Sequence, residues 1–135
     1  MNLHTLNVWA ILVAAIAAFL LGGLWYSPLL FVKPWKRANG FPEEPAARGN
    51  MAKIFGLSLL FTLVMSFNLA MFLNDPKTTT AWGATAGFLA GFGWVMMGIA
   101  IISLFERRPW TYVLINGGYL TAALTLMGAI LGAWR

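Results

Sequence analysis

The sequence predicts an all-α integral membrane protein in which four transmembrane helices form a compact bundle. Only 10% of its 135 residues are charged and 60% are hydrophobic, whereas a soluble domain carries about 25% charged residues. The mean hydropathy is +0.75, so the chain has too few charges to cover a water-facing surface. Four apolar runs reach the length of about 20 residues that a helix needs to cross a bilayer. Residues 1–135 are predicted to form a single transmembrane domain.

The predicted spans cover residues 6–25, 54–73, 81–104 and 111–134, and none contains Lys, Arg, Asp, Glu or His. The first run follows MNLHTLN, which lacks the basic residues of a signal peptide, so we expect it to remain as a helix. The segment NDPKTTT is typical of a turn in which Asp75 and Pro76 end one helix and Thr80 caps the next.

The distribution of basic residues predicts the orientation of the spans. The loop 26–53 and the short loop after the third span together carry seven Lys and Arg residues, and the other side carries two, Lys77 and Arg135. Because cytoplasmic loops of membrane proteins are enriched in Lys and Arg, both basic loops are predicted to be cytoplasmic. The two termini are then outside. This role of the basic residues also accounts for the net charge of +5 without nucleic-acid binding.

The first and third spans resemble each other. Residues Ala14–Trp25 (AAIAAFLLGGLW) and Gly83–Trp94 (GATAGFLAGFGW) agree at six of twelve positions without gaps. An internal duplication would give two parallel helical hairpins related by an axis along the membrane normal. The alternative is chance agreement between two helices built from Ala, Leu, Gly and Phe.

The stretch LWYSPLLFVKPW, residues 24–35, marks the edge of the bilayer. Trp25 and Tyr26 favour the headgroup level because their rings are apolar with a polar tip. Pro28 disfavours helical geometry in the residue before it, which predicts a break there. Residues 29–32 are too short to span and are predicted to lie in the interface. A short helix is predicted to begin near Glu43 and Pro45 and to lead towards Lys53.

The pattern G-x-x-W-Y-S-P-x-x-F-x-x-x-W at Gly22–Trp35 resembles the small bacterial membrane proteins of domain-of-unknown-function family 1761. The triplet Phe105-Glu106-Arg107, the pair Asn116 and Tyr119, and the run MGAILGAW at Met127–Trp134 extend this resemblance over nearly the whole chain. The resemblance implies four transmembrane helices in a bacterial inner membrane. It implies no activity, because the family has none assigned.

Small residues at four-residue spacing predict close helix packing, either within the bundle or between copies of the chain. Such a face occurs on the first, third and fourth spans. Its predicted members are Ala14, Ala18, Gly22, Gly83, Gly87, Gly91, Gly117 and Thr121.

Polar residues near the cytoplasmic ends of the spans fall at one depth, given a rise of about 1.5 Å per helical residue. They form a candidate polar pocket, or else they satisfy one another and the backbone freed at Pro28. These residues are Trp25, Tyr26, Ser27, Ser58, Ser103, Asn116 and Tyr119.

Basic residues of the cytoplasmic loops are candidates for contact with anionic lipid headgroups. They are Lys33, Lys36, Arg37, Arg107 and Arg108. No metal site and no cofactor is predicted, because the sequence has no cysteine and its single histidine, His4, lies at the outer edge.

The function predicted from these features is that of a structural, accessory or self-associating membrane subunit without catalytic activity. Its predicted partners are membrane lipids and either further copies of itself or another membrane protein. One alternative is a channel or facilitator for a small neutral or weakly polar solute. A lipid-modifying enzyme that uses Glu106 and Tyr26 is disfavoured, because the chain offers few acids and bases.

Overall fold

The computed structural model describes residues 5–27, 32–39 and 51–134, and all regular structure in these ranges is helical. A short helix and four long ones follow one another along the chain. They are α1 (Val8–Trp25), α2 (Val32–Asn39), α3 (Met51–Phe72), α4 (Thr80–Phe105) and α5 (Trp110–Ala133). Within α4, the segment Gly91–Met96 is wound as a π-helix.

The four long helices are each long and apolar enough to cross a membrane. The predicted all-α, four-span architecture is therefore confirmed, and the protein is a multi-pass membrane protein. The helix ends differ from the prediction by a few residues. α1 begins at Val8 rather than at residue 6 because the side chain of Asn7 caps it, accepting the Ala10 N–H at 3.1 Å. α3 begins at Met51, three residues earlier than predicted.

Two predictions about the connections need correction. The cap of α4 is Thr79, whose hydroxyl accepts the Trp82 N–H at 3.1 Å, and not Thr80, which already has helical geometry. The loop 26–53 contains the unpredicted helix α2, in which Pro34 lies in the first turn, where a missing N–H costs no hydrogen bond. The predicted interfacial segment 29–32 and the helix predicted near Glu43 lie largely outside the described residues.

The long helices pack side by side in the order α3, α1, α5, α4, each antiparallel to the next. Ser66 on α3 donates to the Ile11 carbonyl of α1 at 2.8 Å, and Asn7 before α1 donates to the Trp134 carbonyl after α5 at 3.3 Å. The carboxyl ends of α1 and α4 therefore lie with the amino ends of α3 and α5. We call this the basic end of the bundle, because α2 and Arg107 and Arg108 lie there.

The small-residue faces of α4 and α5 pack against each other within the chain. A Cβ atom at Gly87 would overlap the backbone carbonyl of Leu124, and one at Gly83 would overlap that of Gly128. A Cβ at Gly91 would lie 2.6 Å from the Cα of Thr121. Only glycine permits backbones to approach this closely. Gly117 in turn receives the side chain of Met96.

The small-residue face of α1 is also used inside the chain. Ala14 and Ala18 are fully buried in the core, and the ring of Tyr119 covers Gly22, where a Cβ would lie 2.9 Å from the hydroxyl oxygen. The predicted small-residue faces are therefore helix-packing faces, and an association between copies needs a different surface.

The two similar segments have unlike surroundings. Gly22 of α1 and Gly91 of α4 both pack on α5, but Trp25 is half-buried whereas its counterpart Trp94 is 74% exposed. The hairpins α1–α3 and α4–α5 run in the same direction, as an internal duplication would require. The duplication itself stays a prediction.

Candidate functional site at the basic end

A cluster of aromatic and amide side chains joins the end of α1 to α5. The last turn of α1 closes with the Tyr26 N–H donating to the Gly22 carbonyl at 3.1 Å, which leaves the Tyr26 side chain directed at α5. There its hydroxyl donates to Oδ1 of Asn116 at 2.6 Å. The preceding residue, Trp25, donates from Nε1 to the Ile115 carbonyl at 2.9 Å.

Tyr119 lies one helical turn further along α5 and connects back to α1. Its hydroxyl donates to the Ala18 carbonyl at 2.9 Å. Its ring centroid is 5.6 Å from that of Tyr26 and 6.3 Å from that of Trp25. The ring of Trp35, on α2, lies with its centroid 5.1 Å from that of Tyr26 in an edge-to-face arrangement. Such ring pairs add about 0.5–1.5 kcal/mol each beyond burial, so α2 is fastened to the bundle through Tyr26.

Each aromatic donor of this cluster has a hydrogen-bond acceptor. Burial raises the pKa of the Tyr26 hydroxyl, and the neighbouring Tyr119 and Tyr112 hydroxyls raise it further, so Tyr26 stays a protonated donor to Asn116 at physiological pH. Among the described residues, no side-chain nitrogen or oxygen is sealed from solvent without a partner. The cluster ties α1, α2 and α5 together, and its three aromatic donors are all used within the protein.

The structure brings together four of the seven residues predicted for the polar pocket: Trp25, Tyr26, Asn116 and Tyr119. Ser27 makes a local bond instead, from its hydroxyl to the Leu24 carbonyl at 2.6 Å. Ser58 lies at a similar depth but on an exposed part of α3. Ser103 is buried, at 2% exposure, beside a separate cavity between α4 and α5.

This second feature, the turn cavity, has a volume of about 140 Å³. It lies at the junction of the carboxyl end of α4 and the amino end of α5. Its lining residues are Ala100, Ser103, Leu104, Arg107, Arg108, Trp110 and Val113. The sequence predicts lipid contact for Arg107 and Arg108 but not this cavity. A cavity between two helices depends on how each is rotated about its own axis, which the sequence does not give.

The α4–α5 turn has an unusual backbone. Arg107 has φ 58°, the left-handed conformation that favours glycine. The Arg108 N–H donates to the Ser103 carbonyl at 2.9 Å and the Arg107 N–H to that of Leu104 at 3.3 Å. This pair of bonds is the Schellman arrangement, which usually places glycine where Arg107 stands.

The five basic side chains predicted for lipid contact lie on two elements, α2 and the α4–α5 turn. Lys33, Lys36 and Arg37 lie on α2. In the α4–α5 turn, Arg108 Nε lies 3.9 Å from the Glu106 carboxylate, and its guanidinium lies 5.2 Å from the ring centre of Tyr112. The part of the chain that the structure describes holds no group of three or more metal-ligating residues.

The opposite end of the bundle has a much smaller cavity. The Thr5 hydroxyl donates to Asn74 Oδ1 at 2.5 Å beside it, and its volume of about 20 Å³ suits a single water molecule. Of these two cavities, the turn cavity at the basic end is the one large enough for more than a water molecule.

No curated protein and no solved structure matches the chain. The family described as "Protein of unknown function (DUF1761)" matches residues 9–132. This range covers all five helices except the first residue of α1 and the last of α5, and it includes the aromatic cluster and the turn cavity. The match agrees with the resemblance found in the residues around Trp25, Tyr26, Asn116 and Tyr119. The chain belongs to this family, DUF1761.

Proposed function

We propose that the chain is a non-catalytic membrane subunit that associates with further copies of itself along α4. The observation that supports this most is a pair of glycines, Gly93 and Gly98, at which an added Cβ would meet no atom within 4 Å. In contrast, Gly83, Gly87 and Gly91 of the same helix are each packed against α5.

Glycine weakens a helix by about 1 kcal/mol relative to alanine, so it needs a reason. For Gly87 the reason is the Leu124 carbonyl, but no described residue supplies one for Gly93 or Gly98. Gly23 and Gly56 are equally open, and what sets Gly93 and Gly98 apart is that they lie on the span that buries the smallest share of its residues. In lipid, helices associate through small residues that let backbones approach closely. A neighbouring chain packed on these glycines would supply the missing reason.

The surroundings of Gly93 suit a second copy of the chain. α4 buries the smallest share of its residues among the four spans. Trp94 beside Gly93 is 74% exposed, and Phe88 and Phe92 stack 5.7 Å apart, both about half exposed. Two copies related by a two-fold axis would place the same rings and glycines on both sides of one interface.

Energy transfer between labelled copies in liposomes tests this association. The substitution Lys77→Cys, in the α3–α4 turn, provides a single labelling site, because the natural chain contains no cysteine. Gly93→Leu is expected to abolish transfer, whereas the control Gly56→Leu, at an equally open glycine on α3, is expected to preserve it. Equal transfer in Gly93→Leu and the parent would contradict association along α4.

The proposed subunit has no catalytic activity. Glu106 is paired with Arg108, and the Tyr26 hydroxyl is bonded to Asn116, so both groups considered for a lipid enzyme are engaged. A facilitator for neutral solutes is the competing proposal. It would need a continuous polar path across the bundle. The hydroxyls of Ser66, Thr121 and Thr125 within the spans are instead bonded to backbone carbonyls. Solute flux in liposomes that Asn116→Leu abolishes without unfolding would favour the facilitator.

We place the protein in the inner membrane of a bacterium, with both termini outside and the basic end in the cytoplasm. The excess of Lys and Arg in the loop 26–53 and in the α4–α5 turn supports this orientation.

A further inference from the structure

We propose that the turn cavity between α4 and α5 binds the phosphate group of an anionic lipid headgroup. Its volume of about 140 Å³ is many times the roughly 10–15 Å³ that one water molecule needs. Two arginines and a serine lie in its lining with the first residue of α5, Trp110. This proposal is independent of association along α4.

The buried hydroxyl of Ser103 points to a ligand. The other buried hydroxyls satisfy themselves on backbone carbonyls: Ser66 donates to Ile11 and Thr78 donates to Leu73, both at 2.8 Å. Ser103 is as buried, at 2% exposure, but its hydroxyl bonds to no group of the described residues. Among the described residues, no side-chain nitrogen or oxygen is both sealed from solvent and without a partner. Because the Ser103 oxygen has no partner, it is not sealed, and it opens into the cavity that Ser103 lines. An oxygen of a ligand is the partner it lacks.

The charges around the cavity select an anion. Arg107 and Arg108 both line it, and guanidinium groups match phosphate oxygens in geometry and charge. The amino end of α5 begins at Trp110, its cap Pro109 makes no side-chain hydrogen bond, and the helix is 24 residues long. Its free N–H groups therefore add partial positive charge on the same side. Glu106 is the one carboxylate of this turn, and it is half exposed and beside Arg108.

The backbone of Arg107 fits the same interpretation. A residue other than glycine is sterically disfavoured in the left-handed region, and glycine would suit the Schellman turn here better. Arg107 lines the cavity, and arginine supplies a positive charge there that glycine would not.

The location of the cavity identifies the source of the phosphate as a lipid. The turn joins two membrane-spanning helices, so it lies where α4 and α5 leave the bilayer. Phe105 and Trp110, on either side of the turn, are 87% and 65% exposed. Large apolar rings at this level insert among acyl chains and headgroups, where the phosphates of lipids are concentrated.

Native mass spectrometry of the purified protein in an uncharged detergent tests the site with three probes. These are dioctanoyl phosphatidic acid, dioctanoylglycerol, which has the same chains without the phosphate, and inorganic phosphate as competitor. The expected result is one phosphatidic acid bound per protomer, no retained dioctanoylglycerol, and little displacement by inorganic phosphate. Hydrogen bonds to charged groups contribute about 1.5–3 kcal/mol, so Ser103→Ala and Arg107→Gln are each expected to weaken binding about tenfold or more.

Arg37→Gln is the matched control, because it removes the same charge from α2 outside the cavity. Arg107→Gly is a second test that keeps the turn folded, since glycine prefers this backbone conformation; it too is expected to lose the lipid. Undiminished binding in Ser103→Ala and Arg107→Gly would overturn the site, as would an equal loss in Arg37→Gln. Displacement by inorganic phosphate at the affinity of phosphatidic acid would overturn the lipid source. The same spectra report subunit number, so a lipid-bound monomer would contradict only the self-association.

Discussion

Individual polar side chains tie the helices of this protein together. Tyr26 bonds to Asn116, Tyr119 to the Ala18 carbonyl and Ser66 to the Ile11 carbonyl, so each joins two different helices. In a bilayer, moving an apolar surface from lipid into protein gains little free energy. Interhelical hydrogen bonds and close packing therefore stabilise the bundle in place of the hydrophobic effect. We expect them to set which helix faces meet.

Removing the Tyr26 hydroxyl tests this role. Tyr26→Phe keeps the ring contacts with Trp35 and Tyr119 but leaves Asn116 without its donor. The expected loss is about 0.6–2 kcal/mol of unfolding free energy, measured by denaturant titration in mixed micelles. Tyr112→Phe is the control, because it keeps the ring beneath Arg108, and it is expected to match the parent. Equal stability of the two variants would show that the Tyr26 bond contributes nothing.

The sequence predicted the depth of these residues and not their rotation about the helix axes. Counting residues along a helix gives the level in the membrane, and it groups Tyr26, Asn116 and Tyr119, which the structure places in contact. Ser58 and Ser103 share that level, but they lie on other sides of α3 and α4. A helix that is apolar all round gives no signal for the buried face, so only packing decides which side chains meet.

Among the helices, α4 and α5 form the tightest pair because glycines line their contact. Gly83 and Gly87 lie directly against backbone carbonyls of α5. The sequence predicted this face from its four-residue spacing, but it left open whether the partner was in the same chain. The spacing does not identify the partner, because close packing requires small residues whether the neighbouring helix belongs to the same chain or to another copy.

A pair of alanine substitutions separates packed from open glycines. In Gly87→Ala the new methyl would overlap the Leu124 carbonyl, which is expected to cost about 1–3 kcal/mol or more of unfolding free energy. In Gly56→Ala the methyl meets no neighbour, and the better helix propensity of alanine is expected to leave stability unchanged or raise it by up to about 1 kcal/mol. Denaturant titration of detergent-solubilised monomers compares them. A neutral Gly87→Ala would contradict the close approach of α4 and α5.

The molecule as a whole has a basic and a non-basic end, and the orientation proposed from this asymmetry can be tested directly. The natural chain has no cysteine, so single cysteines report their side of the membrane without background. A membrane-impermeant maleimide is expected to label Lys77→Cys in intact cells, and to label Arg37→Cys only after permeabilisation. The reverse pattern would place the basic end outside and contradict the proposed topology.

Native mass spectrometry after gentle extraction from the host membrane shows whether the protein associates with itself and needs no other protein. We expect a closed homo-oligomer without a second polypeptide, which falls to monomers in Gly93→Leu and persists in Gly56→Leu. A monomeric parent protein, or a second polypeptide held in fixed stoichiometry, would contradict it.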